Sequence, residues 1–146
     1  MAKVLYMDDS KYELETAKAD INDSSQNAGP NDKPIELTIQ QIEDARLPFG
    51  DNVVNMVKAF DAVVLDHYWG NRSINGLSYA HHLRNKGFKG PIIIYSSESQ
   101  EEIMGGYSES DNAGLVFCKK ISGKENKDNL YNTLQQVFRI PPEVSR

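Results

Sequence analysis

Short apolar runs alternate with stretches of helical periodicity along this chain. KVLYM at 3–7 is a compact apolar run followed at once by acids, and reads as a strand. Ser10-x-x-Glu13 is a capping-box pattern, and Leu14, Ala17 and Ile21 follow at the spacing of one helix face. NDSSQNAGPNDKP at 22–34 is polar with Gly and Pro, and predicts a mobile loop. IELTI at 35–39 alternates apolar and polar positions, as a half-buried strand does. Asp51 can cap a short helix carrying Val54 and Val57. AVVLD at 62–66 is a third strand, and Leu77, Ala80 and Leu83 then mark a helix that Gly87 can stop. PIIIYS at 91–96 is a fourth strand. EEIMGGYSES at 101–110 is a poor helix, because Gly105 and Gly106 each cost about 1 kcal/mol relative to Ala. LVFC at 115–118 is a fifth strand. Ser122-x-x-Glu125 opens a last helix with Leu130, Leu134, Val137 and Phe138 on one face, ended by Pro141 and Pro142.

The order is five β-α units. Strands 1, 3, 4 and 5 are near-continuous apolar runs, the pattern of strands covered on both faces of a parallel sheet. Right-handed crossovers then predict a doubly wound α/β sandwich. At 146 residues, the expectation is one domain over 1–146.

Composition narrows the function. Charged residues make up 25% and apolar ones 39%. The net charge of −5 argues against nucleic acid as a partner, since phosphate binding needs a basic face. No apolar run reaches membrane-spanning length, and the first ten residues lack the layout of a secretion signal. The single Cys118 cannot pair within the chain and reads as a buried core thiol, so a reducing cytoplasm is the expected compartment. His81 and His82 are adjacent, point about 100° apart on a helix, and do not suit a shared metal. His67 reads as a loop residue.

The chemistry is expected where parallel strands end. Ligand sites in such sheets lie outside the carboxyl ends of the strands, where the strand order reverses. Strand 1 delivers Asp8 and Asp9 there, strand 3 Asp66, strand 4 Ser96 and Ser97, and strand 5 Lys119 and Lys120. Taken singly, these residues read as a helix cap, a loop and surface charges. Together, they suggest phosphoryl chemistry. Clustered carboxylates repel one another unless a cation intervenes, and Mg²⁺ takes one or two carboxylates, waters and phosphate oxygens. A carboxylate can attack phosphorus, with a cation, a lysine and a hydroxyl offsetting the charge of the transferred group.

At this point the chain resembles the receiver domain of two-component response regulators over nearly its whole length. VLYMDDS resembles that family's first strand and acidic pair, DAVVLD its third strand and phospho-accepting Asp, PIIIYSS its fourth strand and hydroxyl residue, and AGLVFCKK its fifth strand and lysine. The resemblance implies the flavodoxin-like strand order 2-1-3-4-5 with five helices. It implies Asp66 as phospho-acceptor, Lys119 beside the phosphoryl group and Ser96 bonded to it. Mg²⁺ would be held by Asp9, Asp66 and the backbone carbonyl of Tyr68, with Asp8 acting through water. The side chains of Tyr68 and Glu98 would tune access of water. Four positions depart from the family. Gly70 stands where Pro is usual, four residues after the acceptor. Gly76 lies ten residues after Asp66 rather than eight, so the loop is two longer. Lys120 stands where Pro follows the lysine. Val116 stands where an aromatic is usual, three before it.

The expected function is a phospho-accepting switch. The donor would be a histidine kinase or phosphotransfer protein, and the output the binding of a downstream protein. Enzymatic activity would extend at most to Mg²⁺-dependent self-phosphorylation from phosphohistidine and slow autodephosphorylation. The rival expectation is a receiver-like binding module that does not use phosphorylation. A phosphohydrolase with an aspartyl intermediate is disfavoured, because Tyr68 stands where such an enzyme of the haloacid dehalogenase type has a second acid.

Overall fold

The computed structural model describes residues 1–70, 73–105, 114–121 and 123–139. Gly106, Ser122, Pro141 and Pro142, to which the sequence assigned roles in helix breaking, capping and termination, lie outside them.

Five parallel strands form one sheet: β1 (Ala2–Asp8), β2 (Ile35–Gln41), β3 (Ala62–Leu65), β4 (Ile92–Ser96) and β5 (Val116–Lys119). Their spatial order is 2-1-3-4-5. The helices are α1 (Lys11–Gln26), α2 (Asp51–Val57), α3 (Gly76–Asn85), α4 (Gln100–Met104) and α5 (Asn129–Arg139). The fold is therefore the flavodoxin-like, doubly wound sandwich that the alternation of elements predicts. Among the described residues, no helix is long and apolar enough to cross a membrane.

Side-chain alternation divides the core into two. Leu5, Met7, Val63, Leu65, Ile92 and Ile94 face one way and pack under α2, α3 and α4. Val4, Tyr6, Ala62, Val64, Ile93, Tyr95 and Cys118 face the other way and pack under α1 and α5. Both faces of β1, β3 and β4 are thus buried, which explains their unbroken apolar runs.

Ser10 caps α1 by accepting the Glu13 N–H at 3.3 Å. The helix buries Leu14, Ala17, Ile21 and Ser24 and runs to Gln26, so residues 22–26 of the expected loop are helical. Ser24 continues the buried stripe because its hydroxyl has a partner in Asp128 at 2.6 Å, a contact 104 residues away that no local pattern contains. The rest of the connection lies against α5. Gln135 donates to the Lys33 carbonyl and accepts the Lys33 N–H, both at 2.8 Å, and Asp32 accepts from Tyr131 and Arg139. Gly50, not Asp51, is the N-cap of α2. Only Gln100–Met104 of the expected fourth helix is helical within the described residues, capped reciprocally by Ser99 and Glu102.

Candidate functional site

β1 lies between β2 and β3, so the connections leaving β1 and β3 run to opposite faces of the sheet and leave a crevice at their carboxyl ends. Asp8 ends β1 and Asp9 follows it. Asp66 follows β3 directly, and its N–H extends the ladder to Met7 O at 3.0 Å. These residues line an open cleft of about 400 Å³. One carboxylate oxygen from each of Asp8, Asp9 and Asp66 lies within 4.8 Å of the others.

The electrostatics follow from this crowding. Asp8 and Asp66 are buried. Burial, with the charges of Asp8 and Asp9, pushes the Asp66 carboxyl up to about 7, against the opposing pull of Lys120. Asp9 is raised as well, by burial and then by Asp8 beside it. Three carboxylates held this close, all oxygen donors on short side chains, fit a small hard cation such as Mg²⁺.

Among the described residues, Lys120 brings a cation into the cleft. Its Nζ lies 3.2 Å from Asp8 Oδ2, 3.4 Å from Asp66 Oδ1 and 3.6 Å from Glu13 Oε1. Burial works against its charge, but Asp66, Asp8 and Glu13 outweigh it and raise its pKa. Its ammonium also lies 5.1 Å from the Tyr95 ring centre and 5.9 Å from that of Tyr6.

Lys120, not the expected Lys119, lines the cleft. Lys119 is exposed and lies on the side of α4, where Glu102 is held below the usual carboxylate range by its hydrogen bonds with Ser99 and, to a lesser extent, by the Lys119 charge. Successive residues of a strand point to opposite faces. Val116 and Cys118 face the α1–α5 side, and Lys120, two further on, turns to that side and into the cleft. Phe117 faces the other side and packs against the core with Met104. Counted from Lys120, the residue three before the lysine is Phe117. The residue after Lys120 is Ile121.

Ser96 is buried at the end of β4, where its hydroxyl accepts the Glu98 N–H at 3.2 Å. Ser97 lines the cleft beside it. Tyr68 lies on the cleft rim, 62% exposed. Burial keeps His67 below its usual pKa although Glu98 pulls the other way.

Trp69 anchors the longer loop after Asp66. The Trp69 indole N–H donates to the Asp66 carbonyl at 2.6 Å, and its ring packs against Tyr79, centres 5.2 Å apart. Gly76 opens α3 so close to Asp66 that a Cβ there would stand 2.1 Å from the Asp66 carbonyl oxygen. Asn75 and Ser78 close a capping box around this start. Gly70, with φ of 77°, takes the left-handed turn that Pro cannot. Sequence reading passed over Glu13, Tyr6 and Tyr95. The first is hidden in a capping pattern, and the tyrosines sit within apolar strands.

This arrangement has the fold of response regulator receiver domains. Among solved structures it is similar to a LuxR-family two-component response regulator from Aurantimonas sp. SI85-9A1, at 15% identity and TM-score 0.68 over 99% of this chain and 93% of that one. It is similar to a response regulator receiver protein from Sinorhizobium medicae WSM419, at 15% identity and TM-score 0.64 over 94% of each chain. A putative pilus assembly protein from Burkholderia thailandensis E264 also matches, at 12% identity and TM-score 0.66 over 96% of this chain and 100% of that one. No protein-family model matches the sequence, and no curated protein matches it either.

Proposed function

We propose that the chain is a phospho-accepting signalling switch, with Asp66 as the acceptor. The observation that carries this reading is the meeting of three carboxylates and Lys120 in one cleft where the strand order reverses. An oxygen of ionised Asp66 attacks the phosphorus of a phosphohistidine on a kinase or phosphotransfer protein. The O–P bond forms, the N–P bond breaks, and the imidazole leaves with its electron pair. Asp9, Asp66 and the Tyr68 carbonyl would hold Mg²⁺, with Asp8 acting through water. When bound, Mg²⁺ keeps Asp66 ionised and neutralises phosphoryl oxygens. Lys120, rather than Lys119, moves from Asp66 to the transferred group, a short step because its ammonium already touches the acceptor. Ser96 offers its hydroxyl proton to a phosphoryl oxygen. Tyr68 and Glu98 flank the acceptor and limit access of water, which sets the rate of autodephosphorylation. Phe117 packs against the same core cluster as Met104 of α4, suited to pass the change to an output partner at the α4–β5–α5 face.

The second reading is a phosphorylation-independent binding module. It is favoured by the departures in the loop after Asp66, where Gly70 stands in place of the usual Pro and Trp69 is anchored on the Asp66 carbonyl. One experiment separates the two. Acetyl phosphate with Mg²⁺ should add a single alkali-labile phosphoryl group, read by intact mass, and Asp66→Asn should abolish it. A wild type left unmodified by acetyl phosphate and by active kinases would leave the binding module as the function.

A further inference from the structure

Tyr6 is a core residue that reaches a cleft carboxylate, and the phosphoryl chemistry assigns it no part. It sits two residues before Asp8 on β1, so their side chains leave the same face of the strand. It is fully buried, edge-on to Tyr95 with ring centres 5.7 Å apart. Its hydroxyl donates to Asp8 Oδ2. Lys120 Nζ reaches that same oxygen at 3.2 Å, and Asp8 Oδ1 accepts the Ser10 N–H at 2.9 Å. Both oxygens of Asp8 are therefore held by donors of the chain itself, one of them a ring fixed in the core. Among the described residues, the Asp66 carboxylate is held more loosely, by Lys120 at 3.4 Å.

We propose that Tyr6 is a positioning residue that locks Asp8 outside the first coordination shell of the bound cation and thereby favours Mg²⁺ over Ca²⁺. The inference rests on the Mg²⁺-dependent reading above. Mg²⁺ keeps several waters in a tight octahedron, and an acid that binds those waters without displacing them suits it. Ca²⁺ takes six to eight oxygens in looser geometry and gains from every carboxylate free to swing in. Releasing Asp8 should therefore help Ca²⁺ and cost Mg²⁺ its ordered outer shell. Removal of such outer partners typically weakens metal binding 10- to 100-fold.

The test is Tyr6→Phe in the full chain, which keeps the ring and its packing and removes only the hydroxyl. Mg²⁺ and Ca²⁺ titrations are followed by NMR shifts at Asp9 and Asp66. The expected result is a Mg²⁺ Kd raised about tenfold, with a Ca²⁺ Kd unchanged or lowered. A ratio of the two Kd values equal to wild type overturns the proposal, including the case in which both metals weaken in parallel, as a purely structural role would cause. A second measurement needs no variant. The hydrogen-bonded Tyr6 hydroxyl proton should persist in the wild-type NMR spectrum when Mg²⁺ is added, and its loss would mean that Asp8 has turned to the metal. If the wild type binds no Mg²⁺, this inference and the proposed function fall together. If it binds Mg²⁺ and the Kd ratio does not move in Tyr6→Phe, only this inference falls.

Discussion

Period two decides which of two adjacent lysines meets the acids. Lys119 and Lys120 are chemically identical and differ only in which side of β5 they leave. Lys120 continues the row of Val116 and Cys118 into the cleft, and Lys119 joins the row of Phe117. Lys120→Ala should therefore slow phosphorylation from acetyl phosphate at least tenfold, while Lys119→Ala stays within about twofold of wild type, both read as rates by intact mass. Losing that much on Lys119→Ala instead would restore the assignment made from sequence. Asp66 carries a second prediction. Its folded pKa of about 7 lies well above the ordinary 3.8. Between about pH 4 and pH 7 the folded chain then holds a proton that the unfolded chain has released, so stability without Mg²⁺ falls as pH rises through that window. Asp66→Asn has no such proton to lose. It should be the more stable protein at pH 8, by on the order of 1–3 kcal/mol, with the gap closing toward pH 4. Urea unfolding across this range checks it, and a wild-type profile flat from pH 4 to 8 would contradict the burial of an ionised acceptor.

The connection between β3 and α3 is the element that most shapes the site. Its ends come so close that Gly76 N–H donates to the His67 carbonyl at 2.8 Å. Gly76→Ala would set a methyl group into the carbonyl of the acceptor itself. Backbone must move on one side or the other, so the change should destabilise by about 3 kcal/mol or more and shift the amide resonances of Asp66 and His67. A variant as stable as wild type would show that α3 can start elsewhere. The sequence shows a glycine at this point. It does not show that the carbonyl of Asp66 is what the glycine makes room for, because the two are ten positions apart. The same holds for Trp69, whose indole N–H donates to the Asp66 carbonyl, a contact no pattern in the sequence announces.

At the scale of the whole molecule, α5 ties the first crossover to the last. Gln135 is buried and bonds both backbone groups of Lys33. Gln135→Ala leaves that N–H and C=O without their partner and should cost about 1–3 kcal/mol, measured as a shift in the urea midpoint with little change in slope. An unchanged midpoint would mean that water replaces the glutamine freely. The chain's local patterns determined the strand runs, their parallel pairing, the doubly wound class and the delivery of acids, hydroxyls and lysines to one sheet edge. Each of these rests on periodicity or on which residue follows a strand, and both are properties of neighbours in sequence. Only the tertiary structure decided that α1 continues through Ser24, that Lys120 rather than Lys119 enters the cleft, that Phe117 turns to the opposite face of the sheet from Lys120 and that Tyr6 grips Asp8. Those outcomes depend on partners far along the chain and on the face to which a strand end turns. A single residue of register reverses that face, and β5 fixes its register by pairing Ser96 with Lys119.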